Sequence, residues 1–201
     1  KFVTDERPYG IADMALASVG GGLRLDTRDD DIHPFRGVYC EVTGTFVPKA
    51  FSVGMGYGRL KGDARLFATT GGPLPVTFSL RVLGTKTWGT VPYFDAATIG
   101  SSTALRGYEQ GRFSGASSLV GVAEARMRLG SLDFITPVMV GIFGFAESGR
   151  VFEPGEDSRV WHPSFGGGVW AAPWQRDATL TASIGLSKES VMLYGAVGFG
   201  F

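Results

Sequence analysis

The chain has 201 residues, 44% hydrophobic and 12% aromatic, enough for one domain with a core of its own. Its 19 Lys and Arg balance 19 Asp and Glu, which excludes a basic nucleic-acid binder and an acidic tail as the main theme. Glycine is the outlier at 31 residues, mean hydropathy is +0.11, and the single Cys40 excludes an internal disulfide framework and Cys-cluster metal sites.

No stretch suits a membrane-crossing helix, which needs about 20 apolar residues without breakers. The charge-free run 66–80 carries Gly71, Gly72, Pro73 and Pro75, and the run 134–146 is short and carries Pro137. The run 160–175 carries Pro163, Pro173 and the triplet Gly166, Gly167 and Gly168. The opening Lys1-Phe2-Val3-Thr4-Asp5 lacks a signal peptide's apolar segment, so a mature form or a fragment is expected.

The hydrophobic period is two. Strands are expected near 15–28, 36–47, 51–69, 75–88, 116–130, 135–149, 159–172, 177–187 and 190–201, nine in all, several long enough to cross a bilayer. In the second, Val38, Cys40, Val42, Gly44 and Phe46 oppose Tyr39, Glu41, Thr43 and Thr45. In the third, Arg59, Lys61, Asp63 and Arg65 oppose Leu60, Gly62, Ala64 and Leu66. In the fourth, Val76, Phe78, Leu80 and Val82 oppose Thr77, Ser79 and Arg81. In the fifth, Leu119, Gly121, Ala123, Ala125, Met127 and Leu129 oppose Glu124, Arg126 and Arg128. Alternation alone fits both a soluble sandwich or lipocalin-like binder and a membrane barrel. The apolar parity is thin, rich in Gly and Ala, which suits a lipid face better than a packed soluble core. Aromatics gather near strand ends, at Trp88, Tyr93, Phe94, Trp161, Trp170, Trp174, Phe199 and Phe201, where interfacial girdles belong. The triplets Gly20 to Gly22 and Gly166 to Gly168 are read as barrel bends. The fold class expected is all-β, a transmembrane antiparallel up-and-down barrel.

The last strand places Val191, Leu193, Gly195, Val197, Phe199 and Phe201 on one parity and Tyr194 on the other. A terminal amphipathic strand ending in Phe resembles the C-terminal assembly signal of bacterial outer-membrane barrels, with Tyr194, Phe199 and Phe201 as its aromatic positions.

Between the fourth and fifth strands lies a connection, 89–115, far longer than a hairpin turn. It contains Leu105-Arg106-Gly107-Tyr108, flanked by Gly100-Ser101-Ser102-Thr103 and Gly111-Arg112-Phe113. Two other segments accompany it: Phe145-Ala146-Glu147-Ser148-Gly149-Arg150-Val151, and Leu25-Asp26-Thr27-Arg28-Asp29 with Pro34-Phe35-Arg36-Gly37 after it. Together they resemble the BamA/TamA family of outer-membrane assembly and surface-antigen barrels. That family carries a [V/I/L]-R-G-[F/Y] tetrapeptide on a long extracellular loop, an F-x-D-x-G-x-V strand and a strand-turn-strand signature, here marked by Asp26, Arg28 and Gly37.

The resemblance implies that the loop folds into the lumen and that Arg106 pairs with the acid of the second strand after it. Glu147 stands where the family has Asp, one methylene longer. A guanidinium in a crowded lumen needs a carboxylate, Gly107 permits a tight bend, and Tyr108 adds an apolar body with a hydroxyl. Family barrels have sixteen strands, so residues 1–201 are expected to form a single barrel domain that is the C-terminal portion of a larger one. With Phe201 periplasmic, the connections 187–190, 150–159 and 89–115 are extracellular, while 172–177, 132–136, 70–74 and 29–35 are periplasmic turns. Nine strands start the chain outside the cell, which calls for closure by further residues, a missed strand within 1–14 or a second chain.

The function expected is an outer-membrane barrel for protein insertion or translocation, or an anchor for an upstream domain. The alternatives are a structural or pore-forming barrel and a soluble lipocalin-like binder. The partners expected are outer-membrane lipid, other envelope proteins or a second chain closing the barrel, with no nucleic acid. Enzyme chemistry finds little support, and no cofactor or metal is expected. His33 and His162 each precede a proline and lie in no ligand spacing. The glycine triplets lack a phosphate-loop setting, and no G-x-S-x-G elbow occurs. Glu153, Glu156 and Asp157 read as a solvated loop cluster. Arg24, Arg59, Lys61, Arg65, Arg81, Arg126 and Arg128 read as members of a lumen salt-bridge network.

Overall fold

Alternating residues with β-branched and aromatic side chains satisfy every backbone group only if strand pairs with strand, and one antiparallel ladder organises the chain. A computed structural model describes residues 9–10, 14–51, 53–133, 137–155, 159–173 and 178–199. Eleven strands are present among them: β1 (Val19–Asp26), β2 (Gly37–Val47), β3 (Tyr57–Thr69), β4 (Val76–Gly89), β5 (Ala97–Ile99), β6 (Phe113–Gly115), β7 (Ser117–Asp133), β8 (Pro137–Phe152), β9 (His162–Pro173), β10 (Leu180–Leu186) and β11 (Val191–Val197). Nine form a sheet in the order β1-β2-β3-β4-β7-β8-β9-β10-β11, every neighbour antiparallel. Among the described residues β1 and β11 do not pair with each other, so the sheet is not closed.

The nine long strands match the expected ones in number and order; most ends are shorter than expected, while β7 and β8 run three residues further, to Asp133 and Phe152. The third begins at Tyr57 rather than at 51, because Gly54 and Gly56 interrupt the ladder with a loop. The last ends at Val197, since Gly198 turns the chain at φ 82. The long connection is not a featureless loop. It holds a 3-10 turn at Tyr93–Asp95 and a short hairpin of β5 with β6. The irregularity in the long ladders lies between Arg128 and Gly130, not at the glycine triplets read as bends. Gly166 and Gly168 instead leave room for neighbours: a Cβ there would fall 2.0 Å from the Ile184 carbonyl oxygen and 2.1 Å from that of Ala182.

Burial is inverted relative to a soluble β-protein. On β4, Thr77, Ser79 and Arg81 are buried, while Phe78, Leu80 and Val82 are more than half exposed. On β7, Glu124 and Arg126 are buried and Leu119 is exposed. A lipocalin-like barrel hides its apolar parity, and this sheet turns that parity outward. The bilayer is the solvent that makes this arrangement favourable, because apolar surface facing lipid leaves water as surely as a packed core does. Among the described residues no helix is long and apolar enough to cross a membrane.

Trp88, Tyr93, Phe94 and Trp161 are exposed at one end of the sheet, where an interfacial girdle is expected. Two aromatics depart from that expectation. Trp170 is buried on the inner face, and the Phe199 ring packs inward against Trp170 and Phe143, with centroids 6.0 and 5.7 Å away. The bend at Gly198 breaks the parity that would have pointed Phe199 at lipid. Trp174, Phe201, Glu156 and Asp157 lie outside the described residues.

Candidate functional site: the docked loop and its buried charges

The long connection brings its own apolar cluster. Ile99, Ala104, Leu105 and Tyr108 pack on Val120 and Val122 of β7, with Leu83, Phe113 and Val151 around them. These inner-face valines interrupt an otherwise polar parity, and they are where the loop sits. Leu105 is fully buried with a left-handed φ of 63, an unusual conformation for leucine that turns the next residue toward β8.

Arg106 comes next, buried, and meets two carboxylates. Its Nε donates to Glu147 Oε1 at 2.8 Å, and its backbone amide donates to the other oxygen of the same carboxylate. Its Nη2 donates to Glu124 Oε2 at 3.2 Å. Glu124 also accepts from Arg126 Nε at 2.7 Å, and the Ser164 hydroxyl donates to Glu147 at 2.8 Å. The result is a chain of alternating charge, Arg126, Glu124, Arg106 and Glu147, lying on β7, β8 and the loop. Beneath it the Arg106 guanidinium carbon stands 3.3 Å from the Phe145 ring centroid, and that of Arg126 stands 3.7 Å from Phe199. Charges this deeply buried are tolerated because each lies beside an opposite charge, and Glu147 also accepts from the Arg106 amide and the Ser164 hydroxyl. The extra methylene of Glu147 does not prevent a two-pronged hold on Arg106: its carboxylate takes the side chain with one oxygen and the backbone with the other.

Gly107 docks flat against the β10–β11 hairpin. Its amide donates to the Tyr194 hydroxyl at 2.9 Å, and its carbonyl accepts from Ser187 and Ser190 hydroxyls at 2.6 Å each. Its φ is 92, and a Cβ would fall 2.9 Å from the Leu186 carbonyl carbon, so conformation and contact both demand glycine. Gly185 lies opposite, where a Cβ would come 2.9 Å from the Gly107 nitrogen. The Tyr108 hydroxyl donates to the Pro163 carbonyl at 3.2 Å, and Phe113 stacks on His162 at 3.6 Å. At the rim, Arg112 pairs with Glu189 at 2.7 Å. That hydrogen bond raises the Arg112 pKa further above its usual value.

On the other side the loop is tied to β3, where Asp95 accepts from the Arg59 guanidinium and from the Tyr57 hydroxyl. Asp63 takes Arg65 and Arg81 together, and Arg81 reaches the Thr103 carbonyl at 3.4 Å. Of the cations read as a lumen network, Arg24, Arg59, Arg65, Arg81 and Arg126 make ion pairs.

The Asp26, Arg28 and Gly37 signature builds the turn after β1. Arg28 grips Asp26 at 2.9 and 2.7 Å and reaches on to Asp31, and the Asp26 bond raises its pKa. Arg24, Arg28 and Arg65 all lie about 5 Å from the Tyr39 ring. Gly37, at φ 117, passes so close to Thr27 that a Cβ would fall 2.5 Å from its carbonyl oxygen. His33, on this turn, is buried between Phe35, Trp170 and Phe199, with Thr179 3.3 Å from its Nδ1. Among the described residues no group of acids, histidines or cysteines could hold a metal ion.

The sequence singles out Arg106 and Glu147 but not Glu124, Ser164, Ser187, Ser190 or Asp95. Val120 and Val122, apolar positions on the polar parity of β7, are the available signal for where the loop lands.

A family model for the Omp85 superfamily domain matches residues 11–187. No curated protein matches the chain.

Proposed function

The chain belongs to the Omp85 superfamily, whose outer-membrane β-barrels insert or translocate proteins, and from that premise we propose a specific role for its loop. Residues 1–201 are one barrel domain, the C-terminal portion of a larger barrel in the bacterial outer membrane. Among the described residues the outer edges of β1 and β11 are unpaired, and such edges cannot face lipid, so further strands of this protein or of another chain complete the wall. The C-terminus is periplasmic, and the connection 89–115 starts from the extracellular side and plugs the lumen. Leu105, Arg106, Gly107 and Tyr108 are its seat, with Glu147 as the acid partner, and the protein handles passage or insertion of other envelope proteins.

The observation that carries this reading is the buried Arg106–Glu147 pair, 41 residues apart in sequence, which holds an excursion of the chain against the polar face of the sheet. The role is tested in proteoliposomes. The wild-type protein is expected to accelerate insertion or translocation of an unfolded outer-membrane substrate, and Arg106→Ala is expected to lower that rate while sensitising 89–115 to protease. Unchanged protection of the loop in Arg106→Ala would overturn the plug. A wild-type protein that leaves substrate insertion at the rate of empty liposomes would overturn the role.

A further inference from the structure

Turns at strand ends belong in water, where their backbone groups find partners. The turn between β3 and β4 follows that rule, with residues 70–74 exposed throughout. The turn between β1 and β2, at the same end of the sheet, does not: His33 and Pro34 at its centre are buried, and His33 is 1% exposed.

The turn is built from within. One oxygen of the Asp29 carboxylate accepts from the amides of Phe35 and Arg36 at 2.8 and 3.1 Å, and one of Asp30 accepts from those of Ile32 and His33 at 2.9 and 2.7 Å. These amides are satisfied by the turn's own side chains, so it can lie against the sheet without leaving them orphaned. It leans over the polar face. The Phe35 carbonyl accepts from the Thr69 hydroxyl at the end of β3, at 2.7 Å, and that hydroxyl meets the Thr77 hydroxyl of β4 at 2.8 Å. Farther across, the His33 ring centroid lies 4.7 Å from that of Trp170 on β9 and 4.9 Å from that of Phe199, and its Nδ1 is 3.3 Å from the Thr179 hydroxyl, just ahead of β10. In the order of the sheet these anchors run from β3 to β10. Between the turn and the strands is a cavity of about 150 Å³, lined by His33, Phe35, Thr77, Arg126, Arg128 and Trp170 among others.

This is the end opposite the connection 89–115: β3 ends and β4 begins here, whereas β4 finishes at Gly89, where that connection starts. We propose that residues 29–36 are a strap that closes the lumen at its second end, so that passage along the interior needs both covers to move. The need for both rests on the connection 89–115 plugging the first end; the strap itself rests on its own contacts.

The strap is tested first by access. Thr77 is 3% exposed beneath the turn, so Thr77→Cys, in the intact protein with Cys40→Ala, is treated with a bulky water-soluble maleimide in detergent. Labelling is expected to be slow, and His33→Ala with Phe35→Ala is expected to speed it about tenfold while 89–115 stays protected from protease. Equal labelling rates overturn the strap. Faster labelling together with loss of loop protection also overturns it, because the whole inner face would then have come apart. In planar bilayers, Arg106→Ala alone is expected to leave ion conductance within about twofold of wild type, and Arg106→Ala with both strap substitutions is expected to raise it about tenfold. Arg106→Ala alone matching the combined variant overturns the second closure. If Arg106→Ala leaves 89–115 protected, the plug fails and the labelling of Thr77→Cys still decides the strap. Heat-modifiable migration reports folding, and where the paired strap variant does not fold, His33→Ala alone decides.

Discussion

The inner face of the sheet carries ion pairs on β3 and β4 and again on β7 and β8, yet these two regions reach different states. On β3 and β4, Asp63 holds Arg65 and Arg81 with its side chain still 16% exposed. On β7 and β8, Glu124 and Glu147 side chains are 0% exposed around Arg106. The strands themselves do not explain the contrast. The connection 89–115 does, by laying Leu105 and Tyr108 over Val120 and Val122 and excluding water from the charges beside them. The same ion pair is a weak surface contact when wet and a stringent fold determinant when covered, because desolvation makes any unpaired survivor expensive.

The largest break in that contrast comes from the covered half. Arg106→Ala leaves Glu147 buried without its cation and is expected to destabilise the folded barrel by about 3–5 kcal/mol in denaturant titration. Replacing Arg106 and Glu147 together by Met and Leu is expected to cost less than Arg106→Ala alone. A double variant as unstable as the single one would show that cover, not charge, is the determinant. Gly107→Ala comes next, at about 1–3 kcal/mol, since it meets both a left-handed φ and the Leu186 backbone. Circular dichroism melts in detergent would record it, together with loss of loop protection from protease. In the less covered half, Asp63→Asn is expected to cost less than Arg106→Ala in the same titration, because Asp63 keeps some contact with solvent while Arg81 beside it is buried. Smallest of all, Arg112→Ala removes an exposed rim pair and is expected to leave folded stability unchanged, raising loop cleavage slightly at low salt and not at high salt.

The period-two pattern makes the nine long strands and the inverted faces legible, since residue parity dictates side in any strand. Arg106 and Glu147 are legible through the motifs around them. The hidden part depends on contacts between segments far apart in sequence. Ser187 and Ser190 look like ordinary hairpin residues until Gly107 lands on them, and Tyr194, singled out as part of a terminal signal, accepts a hydrogen bond from that same glycine. Phe199 escapes the pattern because a single positive-φ residue, Gly198, reverses the parity of the residue after it. Trp170 escapes it because closeness to a strand end suggests the rim, while Gly141 on the adjacent strand leaves space for its ring on the inside.

The buried His33 has a consequence for how the molecule comes together. Its meeting with Thr179 joins residues 146 apart, linking the first long hairpin of the sheet to the last strands. Such a contact carries a high entropic cost of closure and nothing local rewards it before the intervening strands have zipped in order. A late-forming contact of this kind is expected to act on unfolding, so His33→Ala should speed loss of the folded wall more than it slows its formation in stopped-flow denaturant jumps.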